Sequence, residues 1–140
     1  MARLTPGGEP RGLLHPGFIG AGAALLIAAF LTDTMYYSTA LWQWANFSAW
    51  LIAAGLVLAL VAVVFLVVDL ATGRAGKISW LPFALVAAAA LLSLVNVFVH
   101  SRDAWTSVVP QGFWLSLAVT VLLLIAGLRG WRVTAPGGEP

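Results

Sequence analysis

Two histidines and two aspartates are the side chains best suited to chemistry in this otherwise apolar chain. His15 precedes Pro16 at the start of the first long apolar run, and Asp33 lies at the end of that run. Asp69 ends the second run on the side where the first begins, so we expect His15 and Asp69 to meet across neighbouring helices. An imidazole beside a carboxylate can accept a proton near neutral pH. A capped, solvated helix end is the simpler interpretation of the same two residues.

A second polar group is predicted at the opposite end of the apolar runs. The spacing of Asn96, His100 and Asp103 places them on one face of a helix. Ionisable groups at membrane depth are costly and tend to face a bundle interior or a cavity. This stripe is interpreted as a proton-accepting His/Asp pair, as a site for a quinone or another polar-headed ligand, or as interhelical hydrogen bonding alone. The residues expected at this end are Asp33, Asn46, Ser48, Ser93, Asn96, His100 and Asp103.

Two histidines in a helical membrane protein also raise the hypothesis of haem. Since His15 and His100 are predicted at opposite ends, ~30 Å apart, one iron cannot bind both, although a symmetric dimer could bring two copies of one histidine together. The chain has no cysteine, nucleotide-binding glycine loop, nucleophile elbow or HExxH motif. We therefore expect no enzyme activity, no catalytic residue and no metal site. No cofactor is predicted; haem or a quinone is the alternative, with candidate ligands His15, Asp69, Asp33, Asn96 and His100.

Four membrane-spanning helices are predicted to position these residues. Hydrophobic residues make up 61% of the 140, and charged residues only 9%, against about 25% in soluble domains. The uncharged stretches that separate the internal charges contain 21, 35, 24 and 25 residues, and a helix needs roughly 20 to cross a bilayer. The fold class is therefore all-α, an integral membrane four-helix bundle. The predicted spans are about 17–37, 46–69, 79–101 and 112–129, within a domain 14–133 between tails 1–13 and 134–140.

The distribution of Lys and Arg predicts that both termini are cytoplasmic. Four spans place the termini and the 70–78 loop on one side, and that side holds six of the seven basic residues. The basic residues are scattered at span ends, which argues against nucleic-acid binding. We expect a multi-pass protein of the bacterial inner membrane. As an alternative, the first span is a signal peptide cleaved after Ala40.

Small residues four apart predict close helix packing inside the membrane. Small side chains let helix backbones approach, so a compact bundle is expected, and the same surfaces could serve a homodimer. The residues concerned are Gly20, Ala24 and Ala28 in the first span, Gly55 and Ala59 in the second, and Ala84 and Ala88 in the third.

The order of these features resembles the bacterial membrane proteins grouped as domain of unknown function 2231. The resemblance covers about 14–133 and rests on LHPGFIG, Asp33, Trp44, Asp69, Arg102, Pro110 and GLRGWRV. It implies a four-helix membrane domain of unassigned biochemistry and carries over to His15, Pro16, Asp33 and Asp69. Some relatives are fused to Rieske-type iron–sulfur domains, which implies redox partners.

The chain departs from that family's pattern at two places. Many relatives have a histidine near the start of the third span, where this chain reads SWLPFAL, and a glycine shortly before the second aspartate, where it has Phe65 to Val68. If the family's inner histidines form a cofactor site, this departure implies that part of the site is lost.

The expected function is that of an accessory or anchoring subunit in an inner-membrane complex. Short loops and few polar groups favour a protein that packs against a partner, such as a membrane or periplasmic redox protein. The alternatives are an electron-transfer module that binds haem or a quinone, and a small proton or solute conductor. The other expected contacts are the lipid bilayer and, in the homodimer alternative, a second copy.

Overall fold

The structure is a computed structural model that describes residues 13–102 and 104–135. No strand occurs within these ranges, where Ile78 and Thr134 form an isolated antiparallel bridge. The predicted all-α fold with four helices is therefore confirmed, while Asp103 and most of the two predicted tails lie outside the described residues. The helices are α1 (His15–Thr39), α2 (Trp42–Ala71), α3 (Trp80–His100) and α4 (Gln111–Gly127), with a short 3-10 turn at Ala104–Ser107.

Three of these helices are long and apolar enough to cross a bilayer. They are α1 with 25 residues, α2 with 30 and α3 with 21, whereas α4 is apolar but has only 17. Large apolar side chains on α2, such as Val57, Leu60 and Val67, are more than half exposed. A continuous apolar surface of this kind suits lipid rather than water. The chain is a helical membrane protein with three candidate spans.

α1 and α2 lie in close contact at Gly22 and Gly55. A Cβ atom placed on Gly22 would lie 3.1 Å from the carbonyl oxygen of Gly55. A Cβ atom on Gly55 would lie 2.8 Å from Cγ of Leu26 and 3.2 Å from the carbonyl oxygen of Gly22. Only glycine at these two positions permits the observed separation of the backbones. Gly55 thus packs as the small-residue pattern predicted.

The small-residue face predicted for α1 is wrong. Ala24 is exposed, and Gly20 faces Trp131 rather than α2. The side chains that α1 buries are set by its two polar residues, because both must point inward to find partners. That buried face contains His15, Ile19, Gly22, Ala23, Leu26, Ala29, Asp33 and Tyr36.

The middle of the bundle is an apolar layer to which all four helices contribute. It is built from small and branched side chains, so the helices pack closely with no ionisable group between them. This layer separates the end of the bundle that contains His15, called here the His15 end, from the Asp33 end. Its buried members are Ala23, Leu26, Ala29, Ile52, Ala89, Val119 and Leu123.

The residues after α4 fold back over the His15 end. Gly130 and Trp131 both have left-handed backbone conformations, with φ of 71° and 60°, and these reverse the chain. The indole of Trp131 then fills a notch that is open only because Gly20 and Gly127 lack side chains: a Cβ on Gly127 would lie 2.7 Å from Cζ2 of the indole. The reversed chain continues as a strap of residues 131–135.

Two backbone hydrogen bonds hold this strap to the loop between α2 and α3. The amide of Ser79 donates to the carbonyl of Val133 at 2.9 Å, and the amide of Ala135 donates to the carbonyl of Lys77 at 2.8 Å. Val133 and Thr134 are buried as a result. The packed region therefore includes Thr134, one residue beyond the predicted domain end.

Replacing Trp131 by alanine is expected to loosen the strap. Loss of the indole leaves unfilled space beside Gly20 and Gly127, which we expect to lower the free energy of unfolding by about 2 kcal/mol. Hydrogen–deuterium exchange should then be faster at the amides of Ser79 and Ala135. The control is Trp50→Ala, because Trp50 is 70% exposed. Unchanged exchange at both amides would show that Trp131 does not hold the strap.

Candidate functional site

The contact predicted between His15 and Asp69 is present at the His15 end. Nδ1 of His15 lies 2.8 Å from Oδ2 of Asp69, and the two side chains are 0% and 1% exposed. Pro16 occupies the first turn of α1. A backbone N–H has no acceptor within the helix at this position, so proline, which lacks one, is tolerated there. Asp69 lies near the end of α2. The pair therefore joins the start of α1 to the end of α2.

Arg74 and Thr134 complete this group, which we call the His15 cluster, and neither was predicted as a partner. Nη2 of Arg74 lies 2.8 Å from Oδ1 of Asp69, although the Arg74 side chain is 41% exposed. Oγ1 of Thr134 lies 3.5 Å from Nε2 of His15, at the outer limit for a hydrogen bond. Because Arg74 balances the carboxylate, a neutral imidazole that donates from Nδ1 satisfies the cluster. Nε2 is then an acceptor with one long contact.

Asp33 and His100, which were both predicted at the opposite end, are in contact there. Nε2 of His100 lies 2.9 Å from Oδ1 of Asp33, and both side chains are fully buried. His100 is the last residue of α3, and Asp33 lies two turns before the end of α1. Gly112 of α4 leaves room for the imidazole, because a Cβ there would lie 2.9 Å from Cε1 of His100.

The neighbours of His100 define where its protons are. Nδ1 lies 3.0 Å from the backbone oxygen of Asn96 and 3.1 Å from its Oδ1, so Nδ1 must donate. Ser48 donates to the carbonyl of Ala29 at 3.3 Å, which leaves its oxygen, 3.2 Å from Nε2, as an acceptor. One proton is therefore held between Nε2 and Asp33. The pair has no net charge whichever of the two atoms binds that proton.

Ser116 of α4 closes this second group, the Asp33 cluster, and sequence reasoning missed it. Its hydroxyl donates to Oδ2 of Asp33 and accepts from Nδ2 of Asn96, the latter at 2.8 Å. That second bond orients the Asn96 amide so that its oxygen faces His100. Ser93, which was expected in the stripe, donates instead to Ala89 of its own helix. The cluster consists of Asp33, Ser48, Asn96, His100 and Ser116.

Thr120 lies one turn from Ser116 and supplies a test of this packing. Its hydroxyl is buried and has no hydrogen-bond partner within the described residues. Thr120→Val keeps the side-chain shape and removes the unpaired polar atom, so we expect about 1 kcal/mol higher free energy of unfolding in detergent micelles. Ser116→Ala is the matched comparison and should destabilise, because it takes a partner from Asp33 and Asn96. Equal losses for both variants would contradict this assignment.

The two clusters are too far apart to form one site. His15 and Asp33 are 18 residues apart on α1, which corresponds to about 27 Å of helix. This agrees with the expectation that one iron cannot bind both histidines of a chain. The described residues contain no group of three or more His, Cys, Asp or Glu side chains placed to bind a metal ion.

The structure therefore presents two separate candidate sites that differ in how completely they are hydrogen-bonded. Nδ1 and Nε2 of His100 each contact two partners within 3.2 Å. In His15, Nδ1 is held by Asp69, while the long contact to Thr134 is the one partner of Nε2 among the described residues. Nε2 of His15 is thus more available to a new partner than either ring nitrogen of His100.

Both clusters lie within a region shared with a known family. A family described as predicted membrane protein (DUF2231) matches residues 12–138. Comparisons with curated proteins and with solved structures gave no match. Because the matched region covers nearly all of the 140 residues, the chain belongs to the DUF2231 family of predicted membrane proteins.

Proposed function

We propose that the protein is an accessory or anchoring subunit of a complex in the bacterial inner membrane. The observation that carries this proposal is the inward direction of both buried clusters. The His15 cluster joins α1 to α2, and the Asp33 cluster joins α1 to α2, α3 and α4. Their polar groups therefore stabilise the bundle, and the outward surface is left for contacts with other molecules.

That outward surface is broad and apolar along α2. Several large side chains of this helix are more than half exposed, which lets a helix of another subunit pack there as readily as lipid. The resemblance to proteins fused to Rieske-type domains is the reason to propose a redox enzyme as the partner. The exposed residues are Val57, Leu60, Val63, Val64 and Val67.

The proposed orientation places both termini in the cytoplasm and α1 to α4 across the membrane. Exposed basic side chains at the His15 end, Arg74, Lys77, Arg129 and Arg132, support it, because Lys and Arg accumulate on the cytoplasmic side. α4 has 17 residues and must span with little tilt or with local thinning of the bilayer.

The test is to identify what stays bound to the tagged chain in its own host. The protein would be cross-linked in the membrane, extracted in a mild detergent and analysed by native mass spectrometry. We expect a protein partner at fixed stoichiometry in both cross-linked and untreated samples. Recovery of the chain alone, or with lipid only, under both conditions would overturn the subunit proposal.

A cofactor module is the second candidate function, and the geometry of His15 favours it. Histidines that ligate metals usually donate their other ring N–H to a carboxylate, as His15 does to Asp69. Nε2 would then be the ligating atom, and Thr134 would have to move. The segment SWLPFAL, where the chain lacks the histidine found in many relatives, begins α3 at this same end.

Visible absorption and native mass spectra of the same preparation test this second candidate. A retained mass of haem or a quinone that is lost in His15→Gln and kept in His100→Gln would support it. His100 is the matched control, because both of its ring nitrogens are engaged in the Asp33 cluster. Absence of any such mass from protein prepared in its native host would end it.

A further inference from the structure

An apolar cavity of about 310 Å³ lies between α2 and α3, in the half of the bundle nearest the His15 end. Its walls are Ala59, Ala62, Val63 and Leu66 of α2 and Phe83, Val86, Ala87, Ala90 and Leu91 of α3. α1, α4 and Val133 of the strap form its floor. The lining side chains are all apolar, and along α3 they extend from Phe83 to Leu91, a rise of about 12 Å.

This cavity opens to the surface that faces lipid. Val63 and Leu91 line it, yet they are 54% and 65% exposed. Water does not fill apolar cavities of this kind, and the surrounding solvent at this depth is hydrocarbon. Half of the hydrocarbon core is about 15 Å thick. A lipid acyl chain that enters from the nearer leaflet would therefore extend along most of the cavity.

Basic residues occur in the two chain segments at the His15 end of the seam, which is the name used here for the α2–α3 contact that contains the cavity. The α2–α3 loop crosses this end and contains Arg74 and the exposed Lys77. Hydrogen bonding of the strap to this loop places Arg132 in the adjacent chain segment. Neither Lys77 nor Arg132 takes part in the ion pairs found among the described residues. Basic sites between membrane helices bind anionic lipid headgroups.

We propose that the seam between α2 and α3 binds one anionic phospholipid, with one acyl chain in the cavity and the phosphate at Lys77 and Arg132. The apolar walls supply affinity for a hydrocarbon chain, and the two cations, which form no ion pair among the described residues, supply preference for a negative headgroup. Arg74 is already engaged with Asp69, so it contributes less. This site is separate from both histidine clusters and does not depend on the subunit proposal.

Native mass spectrometry of delipidated, detergent-purified protein tests the proposal. The probes are phosphatidylglycerol and phosphatidylcholine with identical acyl chains, and lysophosphatidylglycerol with one chain. We expect one phosphatidylglycerol per protein chain, bound at least about tenfold more tightly than phosphatidylcholine. Lysophosphatidylglycerol should bind nearly as well, because only one acyl chain enters the cavity. Equal binding of the two headgroups, or binding without saturation, would overturn the proposal.

Matched variants test the headgroup contacts and the acyl-chain cavity separately. Lys77→Gln with Arg132→Gln should reduce the headgroup preference at least fivefold, whereas Arg129→Gln, at an exposed cation following α4, should leave it unchanged. Filling the cavity by Ala87→Phe should weaken binding of all three lipids, whereas Ala84→Phe, at an exposed position of α3 outside the cavity, should not.

The result that contradicts the cavity assignment is equal lipid binding by Ala87→Phe and Ala84→Phe. A protein dimer that binds no lipid would also overturn the proposal, because a second copy would then cover the seam. Since the wild-type comparison of headgroups and chain number uses no variant, the proposal can fail even if a substituted chain does not fold.

Discussion

Replacement of Asp33 by alanine is expected to lower the free energy of unfolding by about 3 to 5 kcal/mol. The carboxylate accepts from His100 and Ser116 inside the bundle, with the Asp33 and His100 side chains fully buried. Without it, the imidazole loses its charge partner and the Ser116 hydroxyl loses its acceptor. Removing one partner of a buried pair costs far more than the pair itself contributes.

Equilibrium unfolding in mixed micelles measures this effect, and two comparisons make it specific. Thr34→Ala alters the adjacent residue of α1, whose hydroxyl is exposed and bonded within its own helix, and should change stability by less than about 0.5 kcal/mol. Asp33→Leu combined with His100→Leu should be more stable than either single variant, because both polar partners are then gone. Additive losses in that double variant would mean that the two side chains are not coupled.

Replacement of Gly22 by leucine is expected to separate α1 from α2. A side chain at this position meets the backbone oxygen of Gly55 at 3.1 Å and Cβ of Leu58 at 3.4 Å. A backbone atom cannot turn away as a side chain can, so the helices must move apart. We expect a loss of about 2 to 3 kcal/mol in the free energy of unfolding.

Gly17→Leu is the control for this second prediction. Gly17 lies on the same helix, and a Cβ there would meet nothing within 4 Å. Both substitutions remove a helical glycine, so their difference isolates the helix contact from helix propensity. Faster amide exchange along α1 and α2 should accompany the loss in Gly22→Leu. Equal stability of the two variants would show that this contact does not hold the helices together.

The four helices were predictable because the charges in the chain are few and widely separated. A stretch of roughly 20 uncharged, mostly apolar residues has few stable alternatives to a membrane helix. The ends were less predictable: α2 begins at Trp42 and not near residue 46. Trp and Tyr near a membrane surface are compatible with helix or loop.

The two His/Asp pairs were also predictable, since an ionisable group at membrane depth must find a partner. Because each end of the bundle contains few ionisable groups, few pairings between them were possible. Ser116 and Thr134 were missed because a hydroxyl is common in apolar helices and in tails, and only tertiary contacts distinguish a bonded one. Arg74 did carry a signal, since a cation shortly after the helix-ending Asp69 can fold back onto it.

The orientation of α1 about its own axis, which decides the face that it buries, shows why the spacing of small residues gave a wrong prediction. Glycine and alanine occur on every side of this helix, so a four-residue spacing can be found on several faces. His15 and Asp33 are on the same face as Gly22. The rotation could therefore have been predicted from the polar residues, whose burial without partners is far more costly than that of alanine.

The strap of residues 131–135 has a consequence for how the protein is made. During synthesis the α1–α2 hairpin can pack at Gly22 and Gly55 as soon as both helices are in the membrane, since neighbouring segments associate first. The Asp33 cluster must wait for Ser116, and His15 is covered only when Thr134 has left the ribosome. The His15 imidazole therefore lacks its contact with Thr134 until the strap has been made, whereas Asp33 and Asp69 find their partners earlier in the chain. A nascent chain arrested before Thr134 would therefore lack the contacts of the strap with His15 and with the α2–α3 loop.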